Sequence, residues 1–203
     1  MPIQIGAKPE SDFTDPVGML QDCHRRIERF LGVLRALGEQ ATGTRLTADH
    51  RRALETSLRY FREGAPRHVQ DEEASLFPRL RNQRNAKIAA ALVLVERLEK
   101  DHSTVETWHQ EIDVLGSRWL EEGVLDSASA PRFRHLARQL SELYAQHILV
   151  EDNELFPVAA SVLPDSELSA IGREMARRRG ISAENELAVS TVDQLRASDP
   201  HHG

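Results

Sequence analysis

The sequence predicts an all-α protein: an antiparallel up-down four-helix bundle with a short C-terminal helical extension. Leucine and alanine number 24 and 22 among 203 residues, whereas valine and isoleucine number 13 and 8. Straight-chain side chains keep more rotamer freedom in helices, and β-branched side chains suit strands, so this balance favours helix. In addition, four long segments carry apolar residues at steps of three and four, and short polar segments join them. Such a pattern is typical of antiparallel helices packed around one core.

The first helix is expected to begin at Thr14 or Asp15, with Pro16 in its first turn, where the missing N–H costs nothing. Residues 1–13 have no periodic pattern and are expected to form a flexible arm. The helix should end in a loop over 38–47 that is rich in glycine and threonine.

The second helix contains two prolines that predict irregular geometry. Gly64 and Pro66 predict a kink or widened turn just before His68. Pro78 predicts another bend close to the end of this helix.

The third helix is predicted over 86–120, and the fourth begins near Pro131 after a polar turn. A short amphipathic helix over 165–179 ends in three arginines, which favour a solvent-exposed helix end. We therefore assign 14–163 to the bundle and 164–203 to a C-terminal helix and a disordered tail.

An internal duplication dominates the sequence. Residues 68–78 read HVQDEEASLFP and residues 147–157 read HILVEDNELFP, both of the form His-x3-Glu-acid-x2-Leu-Phe-Pro. A further histidine precedes each copy by a similar distance, His24 by 44 residues and His102 by 45. The chain is therefore two copies of a helical hairpin, with one histidine on the first helix and a His-x3-Glu pair on the second.

Positions four residues apart share one face of a helix, so His68 with Glu72, and His147 with Glu151, form two-ligand arms. Both glutamates lie on the core-facing stripe, where an unpaired carboxylate is costly to bury. A positive charge is therefore expected between them. Two cations bridged by the two carboxylates would provide it, with imidazoles as the other ligands. Nitrogen and oxygen ligands without thiolate suit iron or manganese, and also zinc.

Composition excludes several other classes of protein. The formal charge is −6, whereas a general nucleic-acid binder carries a basic footprint. The longest run without polar side chains in the body is eight residues, 88–95, whereas a membrane-spanning helix needs about 20. The first ten residues lack the apolar stretch of a secretory signal, and the single cysteine forms no internal disulfide. We expect a cytoplasmic protein that binds neither nucleic acid nor membrane.

The sequence resembles the hemerythrin-like, HHE cation-binding family of non-haem di-iron four-helix bundles. The resemblance covers roughly 14–163, and the duplicated motif is its most specific part. The resemblance implies two iron ions with oxo or hydroxo and carboxylate bridges, in preference to manganese or zinc. It also implies a role for each residue of the motif: Glu72 and Glu151 as bridges, His24 and His68 on one iron, and His102 and His147 on the other.

Two departures from oxygen-carrying hemerythrins bear on function. Those proteins carry two histidines four apart on the third helix, whereas this chain has Glu106 four residues after His102. They also end with His-x4-Asp on the fourth helix, whereas here Glu151 follows His147 by four residues and Asp152 takes the later place. One histidine is thus missing, which argues against simple reversible oxygen carriage.

Several side chains near the motif are secondary candidates. Tyr144, three residues before His147, is the candidate cofactor-binding residue because it could hydrogen-bond a bound oxygen species; the alternative is a core-filling role. His109, two turns after His102, is expected to pack in the core or to form an inter-helix hydrogen bond. The acidic residues beside the motif are expected to face solvent or to orient the histidines: Asp71, Glu73 and Asp152.

The sequence leaves three classes of function open. The first is a di-iron protein that binds or senses dioxygen, peroxide, nitric oxide or iron, so that a small diatomic or peroxide ligand is the expected partner. The second is an enzyme run by the same centre, such as one that decomposes hydrogen peroxide. The third is a bundle whose metal only stabilises the fold. The missing histidine argues against carriage, and Tyr144 favours redox chemistry.

Overall fold

A computed structural model describes residues 10–84 and 88–181, and all regular structure within them is helical. Four long helices lie side by side and a shorter helix packs against them, which confirms the predicted all-α bundle. Two five-residue π turns, π1 (Glu72–Leu76) and π2 (Glu151–Leu155), each continue a long helix. The α-helical segments are α1 (Pro16–Gln40), α2 (Ala48–Asp71), α3 (Phe77–Arg81), α4 (Ile88–Glu122), α5 (Ser129–Val150), α6 (Phe156–Val162) and α7 (Asp165–Arg178).

The first two helices begin where side chains cap them. The Asp15 side chain accepts a hydrogen bond from the backbone N–H of Gly18 at 3.0 Å, and Pro16 opens α1 as predicted. Thr47 caps α2 in the same way, through the N–H of His50 at 3.1 Å. Each cap satisfies a donor that has no partner inside the helix.

The four long helices form a closed ring in sequence order. α1 packs against α2 and α5, and α4 packs against the same two helices. Arg62 Nε on α2 lies 2.6 Å from Asp113 Oδ1 on α4. Further along the second long helix, Glu73 contacts His102, which comes earlier on α4, so these two helices are antiparallel.

A buried polar layer divides the apolar core into two clusters. On α1, Leu20 belongs to one cluster and Ile27 to the other, and His24 lies between them. On each of the other long helices, too, a histidine lies between residues of the two clusters. Large side chains, Trp119 and Phe133 among them, fill the cluster that contains Ile27. The bundle therefore holds its histidines and glutamates between two apolar regions.

The position of the widened turn differs from the prediction. The α-helix continues through Pro66, and the widened turn π1 comes after His68 instead of before it. In an α-helix a proline ring clashes with the carbonyl four residues earlier. In π1 the N–H of Phe77 reaches back five residues to the Glu72 carbonyl, and this wider turn accommodates the ring of Pro78.

The other predicted helix boundaries agree closely where the structure describes them. α1 continues through 38–40 before its loop, and α5 begins at Ser129, two residues early. The predicted start of the third helix at 86, residues 1–9 of the arm predicted over 1–13, and the tail from 182 lie outside the described residues. The prediction of a flexible arm was wrong for residues 10–13, because the N–H of Ser11 donates to Asp22 and Phe13 packs against the apolar cluster that contains Leu20. No helix in the described part is both long and apolar enough to cross a bilayer.

Candidate metal centre

Four histidines and two glutamates from the four long helices meet in the polar layer. Each of them is at most 5% exposed. They are the six residues that the duplicated motif selects, and the fold brings all of them together. These side chains are His24 of α1, His68 of α2, Glu72 of π1, His102 of α4, His147 of α5 and Glu151 of π2.

Each glutamate opens one of the π turns. The N–H of Phe77 bonds to the carbonyl of Glu72, and the N–H of Phe156 bonds to that of Glu151, five residues back instead of four. The proline after each phenylalanine lacks an N–H, and its ring disfavours the tighter α-helical turn. The repeated Leu-Phe-Pro sequence therefore places the same irregular turn at both glutamates.

The six side chains form two groups that share both glutamates. In each group, one candidate donor atom per residue lies within 4.8 Å of the others. Glu151 joins the groups, because its Oε2 lies 3.0 Å from His24 Nε2 and 3.2 Å from His147 Nε2. The groups are His24 and His68, and His102 and His147, each with Glu72 and Glu151.

Glu72 joins the other two histidines of the groups. One of its oxygens lies 3.4 Å from His68 Nε2 and the other lies 3.4 Å from His102 Nε2. These contacts, like those of Glu151, lack hydrogen-bond geometry, so all four carboxylate oxygens are buried without a hydrogen-bond partner among the described residues. Buried carboxylates in this state are strongly destabilising unless positive charge compensates them. The carboxylates thus fit a site that holds cations.

The pKa shifts of the side chains in the centre also indicate that it needs positive charge. Burial, together with the neighbouring Glu151, raises the pKa of Glu72 well above its ordinary value. Burial also disfavours the charged form of Glu151, but His147 and His24 outweigh it and lower the pKa of this carboxyl. For His24, burial opposes protonation, yet Asp152 and Glu151 outweigh it and raise the pKa to about 10. In the metal-free protein, a proton on His24 therefore supplies positive charge, and the raised pKa of Glu72 favours its uncharged form.

Carboxylates outside the centre orient the histidines. His24 Nδ1 lies 2.9 Å from Asp152 Oδ1, and His102 Nδ1 lies 2.9 Å from Glu73 Oε1. Each bond turns the other ring nitrogen, Nε2, toward the centre and favours the tautomer with its proton on Nδ1. Glu73 and Asp152 each directly follow a glutamate of the motif. Of the two roles expected for them, facing solvent or orienting a histidine, they have the second.

A third orienting carboxylate, Asp101, escapes prediction from the sequence. Its Oδ2 lies 3.4 Å from Nδ1 of His147, across the gap between α4 and α5. Asp101 directly precedes His102 in the sequence, but its partner lies on a different helix, 46 residues away. The sequence places Asp101 beside a histidine of the motif, which marks it as a candidate. That position does not show which histidine Asp101 contacts.

Tyr144 lies next to the centre, and its hydroxyl bonds away from it. The hydroxyl oxygen is 3.1 Å from Nε2 of His109, which is the inter-helix hydrogen bond expected for this histidine. The ring centroids of Tyr144 and His147 are 6.1 Å apart. Tyr144 and His102 both line a cavity of about 440 Å³ between α2 and α4. A cofactor-binding role for Tyr144 stays a prediction.

The last helix, α7, holds the second long helix beside the centre. Asp71, which is fully buried, lies 2.8 Å from Arg178 Nη1 and 2.7 Å from Arg179 Nη2. Ser75 Oγ lies 2.5 Å from Glu174 Oε2 and accepts from Arg178 at 2.5 Å. Arg177 is solvent-exposed, as expected for this helix end. The same expectation was wrong for Arg178 and Arg179, and that of a solvent-facing or histidine-orienting Asp71 was wrong as well, because these two arginines reach this buried carboxylate.

The donor set suits two cations of the first transition row. Imidazole nitrogens and carboxylate oxygens are common ligands of iron, manganese and zinc. Each group offers four residues, so an ion that prefers octahedral coordination keeps positions for an exchangeable ligand. The arrangement can therefore hold a dinuclear centre that is open to a small molecule.

Comparisons with known proteins agree with this geometry. The sequence model of the hemerythrin HHE cation-binding domain matches residues 15–159, a span that contains all six side chains. An uncharacterized protein of Haemophilus influenzae is 29% identical over 170 residues, which cover 83% of this chain and 92% of that protein. The chain belongs to the hemerythrin HHE cation-binding domain family.

Proposed function

We propose that this protein is a non-haem di-iron protein that binds or senses a small diatomic or peroxide ligand at the centre. The observation that supports the proposal is the burial of four carboxylate oxygens, without hydrogen bonds from the described residues, among four imidazoles. Two cations would neutralise these carboxylates. In this assignment His24 and His68 bind one ion, His102 and His147 bind the other, and Glu72 and Glu151 bridge them.

Bound iron ions would supply Lewis acidity and redox chemistry to the site. The side chains of the protein would hold and orient them. Glu72 and Glu151 would each hold both ions, and the outer carboxylates keep Nε2 of their histidines turned inward. The apolar clusters on both sides of the layer exclude bulk water from the centre.

Metal analysis together with an optical spectrum tests the proposal. Protein expressed with ample iron should hold about two ions per chain, and the oxidised form should absorb in the near-ultraviolet. Glu151→Gln keeps the shape of the side chain but removes its charge, so it should lose much of the bound metal. Glu154→Gln is the matched control, since Glu154 is exposed on the same π turn.

Two results would count against the proposal. Protein without bound metal after expression with ample iron contradicts it outright. A colourless sample that contains only zinc favours the third class of function, a bundle whose metal is structural.

A second candidate function is the decomposition of hydrogen peroxide. It is favoured by the cavity that His102 and Tyr144 both line, because a small oxidant could reach the centre through it. In this reaction two molecules of peroxide give one of dioxygen and two of water, so the oxygen evolved should exceed the protein many times over. Bleaching of the spectrum by one equivalent, without further oxygen release, would contradict this function.

A further inference from the structure

A row of aromatic side chains leads from the surface of the bundle to the centre. Neighbouring rings in the row are in contact, with centroids between 4.5 and 6.1 Å apart. α2 supplies the first two rings, α4 the third and α5 the last two. The last ring is an imidazole of the centre, so the row joins the centre to the surface through side chains alone. We call it the aromatic row: Tyr60, Phe61, His109, Tyr144 and His147.

The two tyrosines of the row differ in their access to solvent. Tyr144 is 3% exposed and lies between the rings of His109 and His147. Tyr60 is half-buried, and its ring stacks on that of Phe30, which is half-buried as well, at a centroid distance of 4.5 Å. A molecule in solution can therefore meet the row at Tyr60, whereas Tyr144 lies inside the bundle.

The row contains both tyrosines of the protein. Tyrosine and tryptophan are the aromatic side chains that lose a single electron most readily, whereas phenylalanine and neutral imidazole resist oxidation. Phe61 and His109 therefore bridge two oxidisable residues. Their rings are stacked, with an angle of 21° and centroids 4.5 Å apart. Such overlap favours electron transfer, which slows steeply with distance, so the row has the unbroken contacts that a relay needs.

Tyr144 can lose a proton together with an electron. Its hydroxyl oxygen lies 3.1 Å from Nε2 of His109, which accepts the hydrogen bond when the imidazole proton is on Nδ1. Burial lowers the pKa of His109 to about 4, so this imidazole is neutral near neutral pH and has a lone pair for the proton. An oxidised phenol is a strong acid, so the transfer is favourable even to this weak base. At the other end of the row, solvent can take the proton of half-buried Tyr60.

We infer that the aromatic row is an electron relay, through which a one-electron reductant in solution, of the ascorbate class, supplies single electrons to the centre. Tyr60 is the point of entry, and Tyr144 is the electron donor beside His147. The inference rests on the proposed function, because it needs iron in the centre.

The relay is needed when a two-electron oxidant meets an iron pair that holds only one available electron. Hydrogen peroxide takes two electrons and two protons from its surroundings and becomes two molecules of water. A mixed-valent pair holds one of these electrons, and Tyr144 gives the other while its hydroxyl proton passes to His109. Tyr60 then gives an electron to Tyr144, which recovers its proton from His109, and the proton of Tyr60 goes to water. Ascorbate restores Tyr60 with one electron and one proton.

Electron paramagnetic resonance tests the relay. Iron-loaded, mixed-valent protein is mixed with one equivalent of hydrogen peroxide, without reductant, and frozen at successive times. The spectrum should show a tyrosyl radical, whose hyperfine splitting narrows in protein that contains ring-deuterated tyrosine. Addition of ascorbate should remove the radical. A radical whose spectrum ignores the deuterium label would overturn the inference.

Replacing each tyrosine tests the order of the relay. Tyr60→Phe should leave the radical on Tyr144, whereas Tyr144→Phe should abolish the radical on Tyr60. The two radicals have different spectra if their side chains have different orientations about the bond from Cβ to the ring, and the two variants supply the reference for each. Iron content and the optical spectrum, measured before peroxide is added, show that each variant retains its centre.

Replacing the bridge tests the path between the tyrosines. Phe61→Leu removes the ring contacts in the middle of the row, so the radical should stay on Tyr144 and ascorbate should remove it more slowly. His109→Phe keeps a ring but removes the proton acceptor, so the yield of radical should fall. Trp108→Phe is the matched control, since Trp108 is an oxidisable ring on α4 that packs against the same apolar cluster and is not a member of the row. It should leave the radical unchanged.

The outcomes separate this inference from the proposal on which it rests. If Tyr144→Phe holds full iron and forms the Tyr60 radical in wild-type yield, the relay is overturned and the di-iron proposal stands. The same conclusion follows if iron-loaded wild-type protein forms no tyrosyl radical. Absence of iron from the wild-type protein overturns the proposed function, and the inference with it.

Discussion

The Nε2 atoms of His102 and His147 lie 3.2 Å apart in the centre of the bundle. Their Nδ1 atoms face outward, toward Glu73 at 2.9 Å and Asp101 at 3.4 Å. When the outward contacts keep the protons on Nδ1, two nitrogen lone pairs point to the same place, and a shared cation stabilises that arrangement. The outer carboxylates therefore contribute to cation binding through the histidines that they orient.

Asp101→Ala should weaken metal binding about 10- to 100-fold, because His147 loses the partner that fixes its ring. Competition with a chelator of known affinity measures the change. Glu96→Ala is the matched control, since Glu96 is an exposed carboxylate on the same helix. Equal affinities in the two variants would show that Asp101 does not orient the ligand.

Metal binding should release protons, and the affinity should therefore rise with pH. In the metal-free protein, His24, with a pKa of about 10, holds a proton at neutral pH, and burial raises the pKa of Glu72 well above its ordinary value. A cation displaces the protons of its ligands, so we expect release of the His24 proton on loading and weaker binding as the pH falls from about 8 to about 6. Calorimetric titration in buffers of different ionisation enthalpy counts these protons. Binding without proton release would contradict the assignment of the ligands.

Arg179→Ala should destabilise the protein by about 2 kcal/mol, because buried Asp71 loses one of its two cationic partners. Thermal unfolding followed by circular dichroism measures the loss. Arg177→Ala removes an exposed neighbour on the same helix end and should have little effect. If both variants unfold alike, the contact of Asp71 with Arg179 does not stabilise the docking of α7.

Two glycine replacements should change stability in opposite directions. A Cβ at Gly172 of α7 would lie 1.9 Å from the backbone oxygen of Phe13, so Gly172→Ala should displace this segment and cost about 1–3 kcal/mol. A Cβ at Gly32 of α1 meets no atom within 4 Å. Gly32→Ala should therefore stabilise the helix by about 0.5–1 kcal/mol. Urea denaturation measures both, and a Gly172→Ala variant as stable as the wild type would contradict the packing of Phe13 on α7.

The centre could be predicted from local spacing, whereas the contacts of Asp101 and Asp71 could not. His68 and Glu72 lie four residues apart, so a single turn of helix already places them on one face. By contrast, Asp101 contacts His147 from 46 residues away, and Asp71 contacts Arg178 from 107 residues away. Such pairs depend on the rotation and axial position of packed helices, which apolar periodicity leaves open.

The π turns show a second limit of prediction. Pro78 indicates where α-helical hydrogen bonding is disturbed, and it predicted a bend near the end of the second helix. It does not indicate which alternative replaces the α-helical turn. The choice of a π turn, which places Glu72 in the polar layer and Phe77 in the apolar core, depends on packing against the other helices.

Because the polar layer separates the two apolar clusters, the cooperativity of unfolding depends on what the layer binds. Ions that link all four long helices at this level should make both halves of the bundle melt in one transition. Without them, each half retains its own apolar contacts, and two transitions are expected. Both tryptophans, Trp108 and Trp119, pack in the same cluster, so fluorescence reports one half while circular dichroism reports both. The two signals should coincide on melting in the loaded protein and diverge after the metal is removed.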